Sequence, residues 1–223
     1  MLHTEKRIVI FAGHYGSGKT NLAVNYALEL RKHHDKVILC DVDTVNPYFR
    51  TKDSEKILTE NGVTLISPEY ANSNVDLPSL PALVNTIFAD KDARVVIDVG
   101  GDDAGAIALG QYADRLKEAG YEMLLVINSY RYLTRSPEEV QAVMAEIELA
   151  ASLKFTGIVN NSNLGKETTT ETIQKSLPFA DGVKDITSLP ILATSHRRDV
   201  DPGALNTPDW IIDIYTKDAW KIF

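Results

Sequence analysis

The stretch Gly13-His14-Tyr15-Gly16-Ser17-Gly18-Lys19-Thr20 constrains this chain more than any other. It follows the apolar run Arg7-Ile8-Val9-Ile10-Phe11-Ala12 and opens into Asn21-Leu22-Ala23-Val24-Asn25-Tyr26-Ala27-Leu28. A glycine, four residues, Gly-Lys and then Thr or Ser is the pattern of a phosphate-binding loop, and a strand before it with a helix after it is the context that such a loop needs. Glycines at 13, 16 and 18 let the backbone curl around phosphate oxygens without a Cβ in the way. Backbone N–H groups of Gly13, Tyr15, Gly16, Ser17 and Gly18, with the N-terminus of the following helix, offer partial positive charge to an anion. Lys19 is placed to reach the β- and γ-phosphates and Thr20 to offer its hydroxyl to Mg²⁺.

The bulk of the sequence fits one nucleotide-binding α/β domain over residues 1–223. A formal net charge of −8 disfavours a broad surface for nucleic acid. The single cysteine, Cys40, excludes an intrachain disulfide and a Cys-rich metal site within one chain. No signal peptide is read before the first strand, and no apolar run approaches the roughly 18 residues of a membrane span, so a cytoplasmic location is expected.

Along the chain, residues 7–12 read as the first strand and 18–33 as the first helix, with Leu22, Tyr26 and Leu30 at helical spacing. Val37-Ile38-Leu39-Cys40 is a continuous apolar run, as buried parallel strands are, and ends in Asp41-Val42-Asp43. A loop containing Asn46-Pro47-Tyr48-Phe49-Arg50 follows, then a short helix at 53–60, a strand at 63–66, a long surface connection over 67–80 and a helix at 81–88. Arg94-Val95-Val96-Ile97-Asp98 is a strong strand running into Val99-Gly100-Gly101-Asp102-Asp103. A strand ending in Asp with Gly three residues on is the pattern of a magnesium-holding carboxylate followed by a γ-phosphate sensor. Further strands are expected at 122–128, 155–161 and 189–193. Ser136-Pro137-Glu138-Glu139 opens a helix over 137–150 with a capping box. Trp210, Ile211, Ile214 and Tyr215 at helical spacing predict a C-terminal helix docked on the sheet. The strand–helix rhythm gives a three-layer α/β fold around a doubly wound, mainly parallel sheet, a P-loop NTPase architecture.

Three motifs thus stand in order, residues 13–20, Asp41-Val42-Asp43 and Asp98-Val99-Gly100-Gly101. Together they resemble the ParA/MinD superfamily of deviant phosphate-loop ATPases, in the SIMIBI class. Its relatives include the nitrogenase iron protein, arsenite-pump and tail-anchored-protein targeting ATPases and the CobQ/CobB enzymes. The resemblance spans residues 7–200 and implies ATP and Mg²⁺ as ligands. It implies that Lys19 binds the β/γ-phosphates, Thr20 the Mg²⁺, and Asp43 the attacking water. Asp98 would hold Mg²⁺ through its water shell, with Asp41 a further candidate, and Gly101 would sense the γ-phosphate. Asn160 or Asn161, at the end of a later strand, matches the position that contacts adenine.

The sequence departs from the family where a signature lysine follows the first glycine: His14 stands there, with Tyr15 next. In dimeric members that lysine reaches the partner's nucleotide. His14 is a partial substitute if phosphate raises its pKa, and Arg50, Arg131, Arg135, Arg197 and Arg198 are other candidate cations. The leading expectation is a slow ATPase that forms a nucleotide-dependent homodimer and switches contact with a protein partner. The alternative is an ATP-dependent small-molecule kinase or ligase, resembling dethiobiotin synthetase or cobyrinic acid a,c-diamide synthase. A bacterial tyrosine kinase is discounted, because only Tyr215 stands near the C-terminus where that family carries a tyrosine cluster. DNA partitioning is disfavoured by the acidic chain.

Overall fold

The structure, a computed structural model, describes residues 2, 4–42, 52–66, 87–101 and 103–216. Uninterrupted apolar runs form strands that must be covered on both faces, and β1 (Ile8–Ala12) and β2 (Val37–Asp41) are buried along their whole length. With β3 (Val63–Ile66), β4 (Arg94–Asp98), β5 (Tyr121–Ile127), β6 (Gly157–Asn160), β7 (Ile191–Arg197) and β8 (Asp209–Ile212) they make an eight-stranded sheet. Its order is β3-β2-β4-β1-β5-β6-β7-β8, and every neighbouring pair is parallel.

Alternation along each strand divides the core in two. Ile8, Ile10 and Ala12 face Ala106, Leu109, Leu116, Val140 and Val183, which belong to α3 (Asp103–Gly110), α4 (Ala113–Ala119), α5 (Pro137–Ala151) and α6 (Thr170–Thr187). Val9 and Phe11 face Leu22, Tyr26, Leu30 and Leu58 from α1 (Lys19–Arg31) and α2 (Lys52–Glu60). The three layers expected from the sequence are therefore present. The chain leaves β1 for β2 and β3 on one side, returns through β4, and continues from β5 on the other side. The winding reverses at β1, and ligands of such sheets sit outside the carboxyl ends of the strands at that reversal.

The N-terminus of α5 is built as the sequence predicts. Ser136 Oγ accepts from the Glu139 N–H at 3.3 Å, the Glu139 carboxylate accepts from the Ser136 N–H at 3.2 Å, and Pro137 takes the first helical position. The sequence reading names no element where α4 and α6 lie, and it mistakes the kind of the last one. α6 is a long helix capped by Thr169, with Ile173, Ala180 and Val183 buried along one face, and it carries Pro178 inside it, a residue that speaks against a helix in the sequence. The predicted C-terminal helix is instead β8, because Trp210 and Ile212 are buried while Asp209 and Ile211 are exposed, a period of two. Beyond β8 the chain lies along α1: Asn25 accepts from the Asp213 N–H and donates to its carbonyl, both at 2.8 Å, and Asn21 accepts from the Tyr215 N–H at 2.8 Å. The predicted connection at 67–80 and the Asn46–Arg50 loop motif lie outside the described residues, as does most of the predicted 81–88 helix, of which 87–89 are helical.

Candidate nucleotide-binding site

β1 ends at Ala12 and α1 begins at Lys19, so residues 13–18 cross the carboxyl edge of the sheet at its centre. The turn closes with the Ser17 N–H donating to the His14 carbonyl at 3.2 Å. Gly18 enters α1 with φ 93°, a left-handed conformation, and a Cβ built there would stand 2.3 Å from Asn161 Nδ2, so only glycine fits. α1 has no side-chain cap at its N-terminus and no acidic residue in its first turn. The first turn thus carries no carboxylate of its own to offset its N–H groups and the positive end of its dipole.

Lys19 is 3% exposed, and its Nζ donates back to the His14 carbonyl at 3.1 Å. Gly101, beyond β4, is pressed against this loop. A Cβ on Gly101 would stand 2.6 Å from Tyr15 Cα and 3.1 Å from Lys19 Nζ. The predicted sensor glycine, the loop lysine and Tyr15 therefore meet at one point. Tyr15 itself is half exposed.

The carboxylates converge by register. β2 pairs with β4 so that Asp41 stands opposite Asp98, and the Val42 N–H donates to the Asp98 carbonyl at 2.9 Å. Asp41 is 2% and Asp98 4% exposed. Their charge is felt at Cys40, whose thiol is pushed up to about 12 by burial and then by Asp41 and Asp98. Two buried acids side by side at a phosphate loop suit a hard divalent cation, which takes oxygen ligands and tolerates water in its shell. Thr20, buried at the first turn of α1, has a hydroxyl that could join them. Ser17 Oγ is buried with no hydrogen-bond partner among the described residues, an orphaned donor within the loop. The residues present thus fit a Mg²⁺–polyphosphate ligand. Asp43 lies outside the described residues.

His14 is held below its ordinary value of 6.5 by burial, then by the charge of Lys19, against a hydrogen bond with the Tyr132 backbone that pulls the other way. It is neutral at pH 7 in the chain alone, so it does not supply the charge of a lysine there. The asparagines also have other partners. Asn160, fully buried, donates to Ser176 Oγ at 3.0 Å and accepts from Ser162 Oγ at 2.7 Å. Asn161 donates to the Ser17 carbonyl at 2.7 Å and accepts from Ser195 Oγ at 2.7 Å. Asn161 therefore braces the phosphate loop from the ends of β6 and β7, and both amides are already bonded within the chain.

Sequence reasoning missed this bracing layer. Asn128, Asn163 and Ser195 join it: Asn128 Oδ1 accepts from the N–H groups of Tyr130 and Asn163 at 3.1 and 3.3 Å. The available signal was a polar residue at the carboxyl end of each of three neighbouring strands.

No protein-family model matches the sequence, and no curated protein does. Solved structures do. FtsY of Mycoplasma mycoides superposes with a TM-score of 0.56 at 20% identity, over 84% of this chain and 58% of that one. The fold is that of the P-loop NTPases. FtsY of Thermotoga maritima gives a TM-score of 0.51 at 21% identity, over 82% of this chain and 59% of that one. FlhF, solved with GTP and Mg²⁺, gives 0.51 at 14% identity, over 84% of this chain and 64% of that one. This chain therefore spans less than two thirds of the length of these neighbours. Among the described residues no helix is long and apolar enough to cross a membrane.

Proposed function

We propose that this chain binds Mg-ATP and hydrolyses it slowly, as a nucleotide switch that forms a homodimer and acts on a protein partner. The observation that carries the reading is the meeting of Lys19, Gly101, Asp41 and Asp98 at the carboxyl ends of β1, β2 and β4, beside the uncapped start of α1. Lys19 holds the β- and γ-phosphates, and the loop N–H groups from Gly13 to Gly18 wrap the polyphosphate. Thr20, Asp98 and Asp41 would hold Mg²⁺, which when bound neutralises charge on the phosphate oxygens. Asp43, two residues beyond β2, orients the attacking water, by the resemblance to ParA/MinD ATPases. Gly101, pressed against Tyr15 and Lys19, would offer its N–H to the γ-phosphate, and its movement would drag the start of α3, which makes the loop after β4 the switching element.

The neighbour FlhF is solved with GTP, so the choice of base rests on this chain's own residues. Guanine presents two adjacent donors on its pairing edge, which a carboxylate satisfies, whereas adenine pairs a donor with an acceptor, which an amide or backbone can match. The run Asn160-Asn161-Ser162-Asn163-Leu164-Gly165 beyond β6 carries no carboxylate. Asp199, near Gly165 through Arg197, is bonded to the Arg197 guanidinium at 2.8 Å. This favours adenine.

The test is equilibrium binding of Mg-ATP, Mg-GTP and a non-hydrolysable ATP analogue, with phosphate release and sizing in each nucleotide. Expected are preference for ATP, slow turnover and a larger species with the analogue, with Lys19→Ala losing affinity by at least about 100-fold, as expected for a charge-assisted phosphate contact. Equal binding by Lys19→Ala would sink the phosphate-loop assignment. Tight binding by a monomer without turnover would sink the switch and leave phosphoryl transfer to a small acceptor.

A further inference from the structure

Residues 128–135, between β5 and α5, fold back over the phosphate loop. The turn is fixed by its own backbone: the Arg131 N–H donates to the Asn128 carbonyl at 3.1 Å, and the Thr134 N–H to the Arg131 carbonyl at 3.3 Å. Tyr130 anchors it to α6 through its hydroxyl, which donates to the Thr172 carbonyl at 2.8 Å. The side chain of Arg131 is thereby laid across Gly16, with its Cδ and Nε 3.6 and 3.7 Å from where a Gly16 Cβ would stand. Its Nε is buried without a hydrogen-bond partner, and no carboxylate among the described residues pairs with its guanidinium.

A half-buried arginine whose Nε is shut away against a glycine of an anion-binding loop has an unmet donor where phosphate oxygens are expected. Its planar fork of donors matches a phosphate bidentately, which an ammonium group does not. His14 adds no permanent charge at this corner, because burial and then the charge of Lys19 lower its pKa. Arg197 and Arg198, two of the other candidate cations, are engaged with Asp199 and Asp213.

We propose that Arg131 is a nucleotide-contacting residue, delivering a guanidinium within the same chain, across Gly16, to the polyphosphate of the bound nucleotide. The proposal rests on the nucleotide-binding reading of residues 13–20. It places the compensating cation in the chain that holds the nucleotide, so that nucleotide binding does not wait for a second subunit.

The experiment compares the whole chain with Arg131→Ala, Arg131→Lys, Lys19→Ala and Lys154→Ala. Lys154 is an exposed surface lysine paired with Glu148, and its removal controls for net charge. Mg-ADP and the non-hydrolysable ATP analogue are titrated at low and high ionic strength, and the melting temperature of each nucleotide-free variant is recorded. Arg131→Ala is expected to weaken both nucleotides about 10- to 100-fold, as loss of a charge-assisted contact does. It should also flatten the ionic-strength dependence of Kd, with partial recovery in Arg131→Lys and none of these effects in Lys154→Ala. Wild-type affinity in Arg131→Ala, alongside loss in Lys19→Ala, overturns the proposal and leaves the nucleotide site standing. Weaker binding with an unchanged ionic-strength dependence and a lowered melting temperature also overturns it, since Arg131 is then a brace. Failure of the parent chain to bind either nucleotide overturns the underlying reading instead.

Discussion

His14 stands where a permanent cation would face the phosphates, and its environment makes it a titrating group instead. Burial and the neighbouring Lys19 charge lower its pKa from 6.5, so the folded chain resists a proton that the unfolded chain accepts. The sign follows from linkage: a depressed folded-state pKa contributes stability present above about 6.5 and lost as pH falls towards the lowered value. Urea unfolding followed across that range should show the parent chain losing stability faster than His14→Gln. His34 is also depressed, by burial and then by the charges of Arg94 and His33, with Asp35 pulling the other way, so the difference between the two proteins, not either curve alone, reports on His14. Phosphate near the ring reverses the shift, so nucleotide binding below neutrality should take up a proton in the parent and not in His14→Gln. Equal pH profiles would place the imidazole outside the field of Lys19 and of the ligand.

At the scale of elements, what could be read in the sequence and what could not separate along a physical line. β1, β2, β4 and β5 are runs of consecutive apolar residues, and α5 carries its start signal within four residues, so local chemistry alone identifies them. The loop over residues 13–20 was equally legible, because its glycines and Lys19 are demanded by backbone geometry and charge at fixed spacing. β8 was not: Trp210, Ile211, Ile214 and Tyr215 satisfy a helical spacing, and only pairing with β7, remote in design from its own residues, makes Trp210 and Ile212 the buried pair. α6 was obscured by Pro178, which disfavours a helix interior. The bracing layer behind the loop was hidden for a related reason, since Asn161 meets Ser17 across 144 positions of sequence. This layer has a measurable role. Asn161→Ala leaves the Ser17 carbonyl unsatisfied in a buried place and the Ser195 hydroxyl with only its long bond to the Asn160 carbonyl, at a cost of about 1–3 kcal/mol. Denaturant titration should show that loss together with weaker nucleotide binding, whereas a stability loss with unchanged affinity would make Asn161 a fold residue only.

Over the whole molecule, the strand farthest from β3 is fastened to the helix that begins at the phosphate loop. Trp210 on β8 packs on Phe11 of β1 at 6.2 Å and edge-on to Tyr26 of α1 at 6.2 Å, and Tyr26 meets Phe11 at 5.8 Å. The three rings join β1, α1 and β8 in one cluster, although β8 lies four strands from β1 in the sheet order. Asn21 and Asn25 add a polar fastening a few residues later, through the backbone of Asp213 and Tyr215. The two devices differ in kind and can be told apart. Trp210→Ala removes a fully buried aromatic side chain and should cost about 3–5 kcal/mol of global stability, seen as one cooperative denaturant transition moved to lower midpoint. Asn25→Ala removes hydrogen bonds that hold only the segment after β8, so the global midpoint should move far less, while amide exchange at Asp213 accelerates and exchange in β1, β4 and β5 stays slow. If Asn25→Ala instead lowered the global midpoint as much as Trp210→Ala, the segment after β8 would be an integral part of the cooperative core. If Trp210→Ala left the midpoint in place, the aromatic cluster would not be what holds β8 to the sheet and α1.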